Sequence, residues 1–241
     1  MFSSTAALLA EVRRQLAKDM NCREEDFRRD GTVFCEAALH PERRLFDRQQ
    51  PYAEAATMGN GIVVSAEAAI LPRLKTALKD LSRDDLFASP WFSGHSLYYL
   101  PDCRILRPLP CPAGFRLHWA EGSSIVQLYR HPGFHNAIQY DRNHPRPDTL
   151  VIYADNADGI AGMAGASADS ATMWQIGIDV EPRHRRSGLA GCLVSRLAAA
   201  ILERDIVPYY GTASSNIPSQ ATAHRSGFRP AWMCTYRNTL T

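Results

Sequence analysis

Apolar residues at Leu8, Leu9, Val12 and Leu16 recur at steps of three and four, so residues 4–19 are predicted to form an amphipathic helix. Its apolar face needs a partner. Past the charged stretch CREEDFRRD, an apolar run around Val33–Ala38 is followed by GNGIVVSA at 59–66, where two glycines introduce the β-branched Ile62, Val63 and Val64 of a strand. Helical spacing returns over 67–81 at Ile70, Leu71, Leu74 and Leu78, and Ser82 is the expected cap of a second short helix. These elements predict an α/β or α+β unit.

Between Leu100 and Gly114 the pattern lapses. Pro101, Pro108, Pro110 and Pro112 suit an extended connector and break both helix and interior strand. A domain boundary is placed there, giving an N-terminal α/β domain over 1–110 and a second domain over 111–241. Beyond it a short strand near Phe115–Trp119, helical material through 122–140 and the loop DRNHPRPD are expected. Strands then come in series at 149–155, 159–167 and 172–180, with short turn-forming links that suit an antiparallel meander. Leu189, Leu193, Leu197 and Ile201 share one face of a long helix, followed by strand IVPYYGTA, a helix from about Asn216 and a final strand pair.

Composition narrows the function classes. The 241 residues are 45% hydrophobic and 22% charged, enough for a real core in one large domain or two. With 27 Lys and Arg against 25 Asp and Glu, the net charge of +2 lacks the basic excess of a nucleic-acid binder. The six cysteines are scattered without a CxxC pair, and no secretory leader or 18-residue apolar run occurs, so a cytoplasmic protein with no membrane partner is expected. His131 and His135 flank Pro132 and Gly133 and read as loop histidines; no metal is implied. Gly159, Gly162 and Gly165 read as strand glycines, and Cys192 as a buried structural thiol.

The segment Arg185-Arg186-Ser187-Gly188-Leu189-Ala190-Gly191 carries the candidate chemistry. Lying between a strand and a long helix, it presents amides not yet used by helix bonds; its glycines admit close approach, and two arginines add positive charge. A pyrophosphate fits such a turn, although a plain strand-to-helix turn with solvated arginines has the same pattern.

The longer stretch IGIDVEPRHRRSGLAG resembles the acyl-CoA-binding strand, loop and helix of the GNAT acetyltransferase superfamily, whose signature (Q/R)xxGx(G/A) is matched by Arg185, Gly188 and Ala190. Strand IVPYYGTASSN followed by NIPSQATAHRSGF resembles the superfamily's later Asn-led helix ending in Gly-Phe. The resemblance covers roughly 115–241; residues 1–100 resemble an additional N-terminal domain of some bacterial members. It implies a mixed, mostly antiparallel sheet flanked by helices, with acetyl-CoA as co-substrate. The pantothenate arm would lie on the backbone of Ile178 and Val180, the pyrophosphate on the amides of Arg186, Ser187, Gly188, Leu189, Ala190 and Gly191 beside Arg185, and Asn216 and Ser219 would face the arm. The implied reaction is direct transfer of an acetyl group to a primary amine of a small molecule or a protein, by a monomer or a homodimer.

Strand alternation puts Trp174, Ile176, Ile178 and Val180 on one face and Gln175, Asp179 and Glu181 on the other. Asp179 is the carboxylate nearest the implied thioester, either as a base or as a group that hydrogen-bonds a neighbouring loop; Glu181, beside Pro182, is expected to be solvated. The Ile178 amide is placed to polarise the thioester carbonyl. Many superfamily members carry a general-acid tyrosine seven residues after the helix-leading asparagine. That position is Ala223 here, which leaves His224, Tyr209 or Tyr210 nearby as a substitute acid, with Tyr210 the candidate carried forward, or water alone. Trp174 stands where some relatives keep a glutamate base. A non-catalytic acyl-CoA-binding or sensing module, or a longer acyl donor, are the alternatives.

Overall fold

In the computed structural model, which describes residue 2, residues 4–46 and residues 48–238 (side chains to residue 235), the opening apolar spacing becomes helix α1 (Thr5–Met20) with Leu8, Val12 and Leu16 buried. There follow β1 (Thr32–Glu36), β2 (Ala53–Thr57), β3 (Ile62–Ala66), α2 (Leu71–Leu78), α3 (Arg83–Phe87), β4 (Phe92–Pro101), β5 (Arg116–Glu121) and α4 (Ser123–Val126). The chain continues through β6 (Asp148–Asn156), β7 (Gly159–Ala168), β8 (Met173–Val180), α5 (Leu189–Leu202), β9 (Val207–Ala213), α6 (Ile217–Arg225) and β10 (Phe228–Asn238). The class is mixed α/β with largely antiparallel strands flanked by helices, as expected. Among the described residues no helix is long and apolar enough to cross a membrane.

Two compact units share the chain. One is built from Leu9–Tyr98, Thr212–Asn216 and Pro230–Thr241, the other from Met1–Leu8, Tyr99–Gly211 and Ile217–Arg229. In the first, β3 lies between parallel β1 and antiparallel β2, and β2 pairs on its other edge with β10. Ala55, Ile62, Val64, Leu74, Leu78 and Leu86 pack into its core. Ser82 caps α3 as predicted, its Oγ accepting from the Asp85 amide at 3.2 Å. Ser82→Ala is therefore expected to cost about 1 kcal/mol, read as a melting temperature lower by roughly 2–4 °C.

The second unit carries the meander: β5, β6, β7 and β8 pair antiparallel in sequence order. Helix α5 packs on β6, β7 and β8, burying Leu189, Leu193, Leu197 and Ile201 on the predicted face. Between Pro101 and Arg116 there is no helix or strand, as the prolines dictate. That connector is tied to α5, where the Leu109 amide donates to Ser195 Oγ at 3.0 Å and Arg196 Nε donates to the Leu109 carbonyl at 3.1 Å.

Two expectations are corrected. Helix does not run through 122–140: after α4 a single 3-10 turn covers Gln127–Arg130, and Pro132 with Gly133 at φ 96° turns the rest into a loop. Several of the loop amides go instead to side chains, notably Gln139 N–H to Asp148 at 2.9 Å. The final strand pair is one strand, β10, without a turn within 228–238. Strands β2 and β4 are not among the predicted elements: β2 reads AEAAT, too rich in alanine to signal a strand.

Candidate active site

The parallel ladder between β8 and β9 runs from Met173↔Val207 to Ile176↔Tyr210 and stops, while β8 continues to Val180 still paired with β7. The Glu181 amide donates to the Ala161 carbonyl at 2.9 Å, across β7. Since backbone groups alternate edges along a strand, the N–H and C=O of Ile178 and Val180 point the opposite way, toward the side β9 has left. Arg185 Nε confirms that direction by donating to the Val180 carbonyl at 3.2 Å. A gap opening at the carboxyl ends of adjacent parallel strands is a usual ligand position in such sheets.

Immediately beyond, the turn predicted to hold an anion takes shape. A 3-10 turn at Pro182–His184 leads to Arg186 at φ 65° and Gly188 at φ 89°, both left-handed. Gly188 is the N-cap of α5, whose own bonding begins with the Cys192 amide on the Gly188 carbonyl at 3.1 Å. The amides of Leu189, Ala190 and Gly191 therefore precede any intrahelical partner. Ser187 Oγ donates to the His184 carbonyl at 2.7 Å, closing the turn. Arg185, Arg186, Ser187 and Gly188 are exposed, Ala190 and Gly191 half-buried, and Leu189 buried. Two connector residues flank the turn: Pro112 beside Gly188 and Leu109 beside Gly191.

Where the ladder ends, Tyr210 sits opposite Ile176, and both are buried. The Tyr210 hydroxyl shares a 2.7 Å hydrogen bond with Ser219 Oγ on α6. Burial raises its pKa, opposed by the Ser219 bond and reinforced by the charge of Asp179. Ala223 is fully buried in α6, while His224 beside it is exposed with its ring edge-on to Tyr99. Asn216 lies just before α6, its amide on the Ala213 carbonyl at 2.9 Å.

Gln175, Gly177 and Asp179 occupy the other face of β8, and a loop lies directly on it. A methyl group at Gly177 would stand 1.6 Å from the Asn136 carbonyl oxygen, and one at Gly165, its partner across the ladder, 1.9 Å from that of Ala137. Only glycine admits a backbone this close. Asp179 fastens the same loop: Oδ2 accepts from the amides of Asn136 at 2.7 Å and Ala137 at 3.1 Å, and Oδ1 from Asn136 Nδ2 at 2.6 Å. Of the two roles open to Asp179, its oxygens are engaged in holding the loop.

The loop separates two cavities. One of about 180 Å³ is bounded by Asn136, Gln139, Arg146, Ser167, Gln175 and Gly177. Beneath it lies buried Asp169, which accepts from Ser167 Oγ at 2.9 Å, from Arg146 Nη1 at 3.3 Å and from the hydroxyl of buried Tyr209. This cluster was missed, because Arg146 and Asp169 lie in turns where no periodicity marks them. The other, of about 720 Å³, lies among Trp119, Phe134, Tyr153 and Glu181. Among the described residues no group of three His, Cys, Asp or Glu is arranged to hold a metal.

Residues 115–228 match the sequence profile described as the Acetyltransferase (GNAT) family. No curated protein matches the chain. Among solved structures, a GNAT-family protein from Novosphingobium aromaticivorans is similar at 19% identity and TM-score 0.43, over 59% of this chain and 63% of that one. A GCN5-related N-acetyltransferase-like protein from Streptococcus suis aligns at 16% identity and TM-score 0.42, over 74% and 72%. An acetyltransferase from the GNAT family of Colwellia psychrerythraea aligns at 13% identity and TM-score 0.45, over 67% and 63%. The chain thus spans under two thirds of the length of the first and third of these.

Proposed function

We propose, from the match of residues 115–228 to the GNAT acetyltransferase family, that the chain is an N-acyltransferase moving an acetyl group from acetyl-CoA directly to a primary amine. The observation that carries this reading is the succession, within residues 176–191, of a strand edge left by its neighbour and a left-handed turn capping α5. The backbone of Ile178 and Val180 suits an amide-bearing arm, and the amides from Arg186 to Gly191, beside Arg185, suit a pyrophosphate. Ser219 on α6 is assigned to the arm.

Acetyl-CoA supplies an activated thioester and a thiolate leaving group. The residues around it have three tasks. The Ile178 amide donates toward the developing oxyanion. Tyr210, kept protonated by burial, gives a proton to the departing sulfur in place of the tyrosine absent at Ala223. Asp179 holds the loop over Gly177, fixing the acceptor's path, and the proton given up by the attacking amine passes to water, which returns one to Tyr210. Buried Ile176 and Tyr210 close the inner end of the gap, which supports a short acyl group.

Incubation with acetyl-CoA and a panel of amines, with N-acetyl products identified by mass spectrometry, tests the activity. Acetyl-CoA is expected to outperform octanoyl-CoA; coenzyme binding without product from any amine would leave a sensing module. Tyr210→Phe is expected to lower kcat about 100-fold, the scale of lost general-acid catalysis, with unchanged acetyl-CoA affinity. An unchanged kcat would remove Tyr210 from the chemistry.

A further inference from the structure

Three carboxylates approach the small cavity, yet none lines it. Asp179 turns both oxygens into the loop, Asp169 lies beneath Ser167 and Arg146, and Asp148 is bonded by Tyr129 and Gln139. Arg146 is the one lining residue with a formal charge; the rest offer amides, a hydroxyl, an imidazole, the Ala137 methyl and glycine backbone. An acceptor with a second ammonium would find no counter-charge on these walls, and an apolar amine almost nothing to pack against.

We propose that the acceptor is a small amino acid, an amine that also carries a carboxylate, seated in this cavity with its carboxylate on Arg146 and its amine toward Gly177. A guanidinium pairs with a carboxylate through charge-assisted hydrogen bonds, which an amide in the carboxylate's place would not form. The Arg146 guanidinium is oriented from behind: it reaches Asp169, whose side chain is 0% exposed and is held also by Ser167 and Tyr209. Gln175, beside that cluster, bonds the Tyr209 hydroxyl at 3.3 Å. From Gln175 to Gly177 is two strand residues, roughly 7 Å, a span that accommodates an amine and a carboxylate on one or a few carbons. The cavity of about 180 Å³ equals roughly six water volumes, which is room for a small amino acid. Gly177 lies just past Ile176, where the β8–β9 ladder ends, so the amine end lies next to the residue at which the gap begins.

The inference rests on the acyl-transfer reading, and the experiment separates the two. Thiol release from acetyl-CoA is measured on the unaltered protein with glycine, alanine, serine and β-alanine, each against its own amide, and with 1,4-diaminobutane. Acetyl-CoA binding is followed in parallel by calorimetry. The expected result is a kcat/KM for the best amino acid at least about 100-fold above its amide, the scale of discrimination when a buried polar group loses its partner. Arg146→Gln should erase that preference through KM while leaving acetyl-CoA affinity unchanged, and Arg146→Lys should restore part of it. The amino acid against its amide decides the matter even where the variants fail to fold. Equal or faster transfer to amides or to the diamine, or acetyl-CoA binding with no transfer to any of the amino acids, overturns the acceptor assignment alone. Absence of acetyl-CoA binding overturns the transferase reading as well.

Discussion

Gly188→Glu is expected to weaken acetyl-CoA binding by at least about 100-fold, or roughly 2.7 kcal/mol, while leaving the fold intact. At φ 89° this position is left-handed, which costs a residue with a Cβ about 1–2 kcal/mol. There is room for the side chain: only Pro112 Cγ, at 3.9 Å, lies within 4 Å of the added methyl position. A carboxylate at the start of α5 also gains about 0.3–1 kcal/mol from the helix dipole, so the stability change is small. The new charge stands among the amides that would serve the pyrophosphate, so the loss falls on the ligand. Gly188→Ala brings the strain without the charge and should lose far less affinity. Equal loss in both variants would assign the effect to the turn's conformation.

Gly177→Ala is expected to destabilise the protein by about 1–3 kcal/mol, the cost of overpacking, and to abolish transfer to the amine without preventing coenzyme binding. The new methyl would stand 1.6 Å from the Asn136 carbonyl oxygen, so the loop must lift off β8 and break its bonds to Asp179. At this chain length the loss corresponds to a melting temperature lower by roughly 2–12 °C. Asp179→Ala reaches the same loop from its other attachment. Hydrogen exchange at the Asn136 and Ala137 amides should accelerate in both variants; protection retained in Asp179→Ala would mean the carboxylate does not hold the loop.

The sequence made the C-terminal meander and α5 legible because their signals are local. Alternation marks β6 to β8, a four-residue leucine step marks α5, and glycine with arginine marks the turn between them. What it concealed depends on contacts distant in sequence. Residues 127–140 contain apolar positions such as Leu128, Phe134 and Ile138 that do become buried, but in a 3-10 turn and a loop, with the Asn136 and Ala137 amides taken by Asp179 and that of Gln139 by Asp148. Gly165 reads as a plain strand glycine, and Gly177 carries no signal of its own, until the loop is seen lying on them. The cavity cluster was hidden for the same reason: Arg146, Asp169 and Tyr209 come from three separate segments with no shared spacing.

The central claim is that the β8–β9 gap and the turn before α5 together hold acyl-CoA. Calorimetric titration of the unaltered protein with acetyl-CoA tests it most directly. Saturable binding near one equivalent per chain is the predicted result; a titration with no binding heat, confirmed by equilibrium dialysis, would contradict the account.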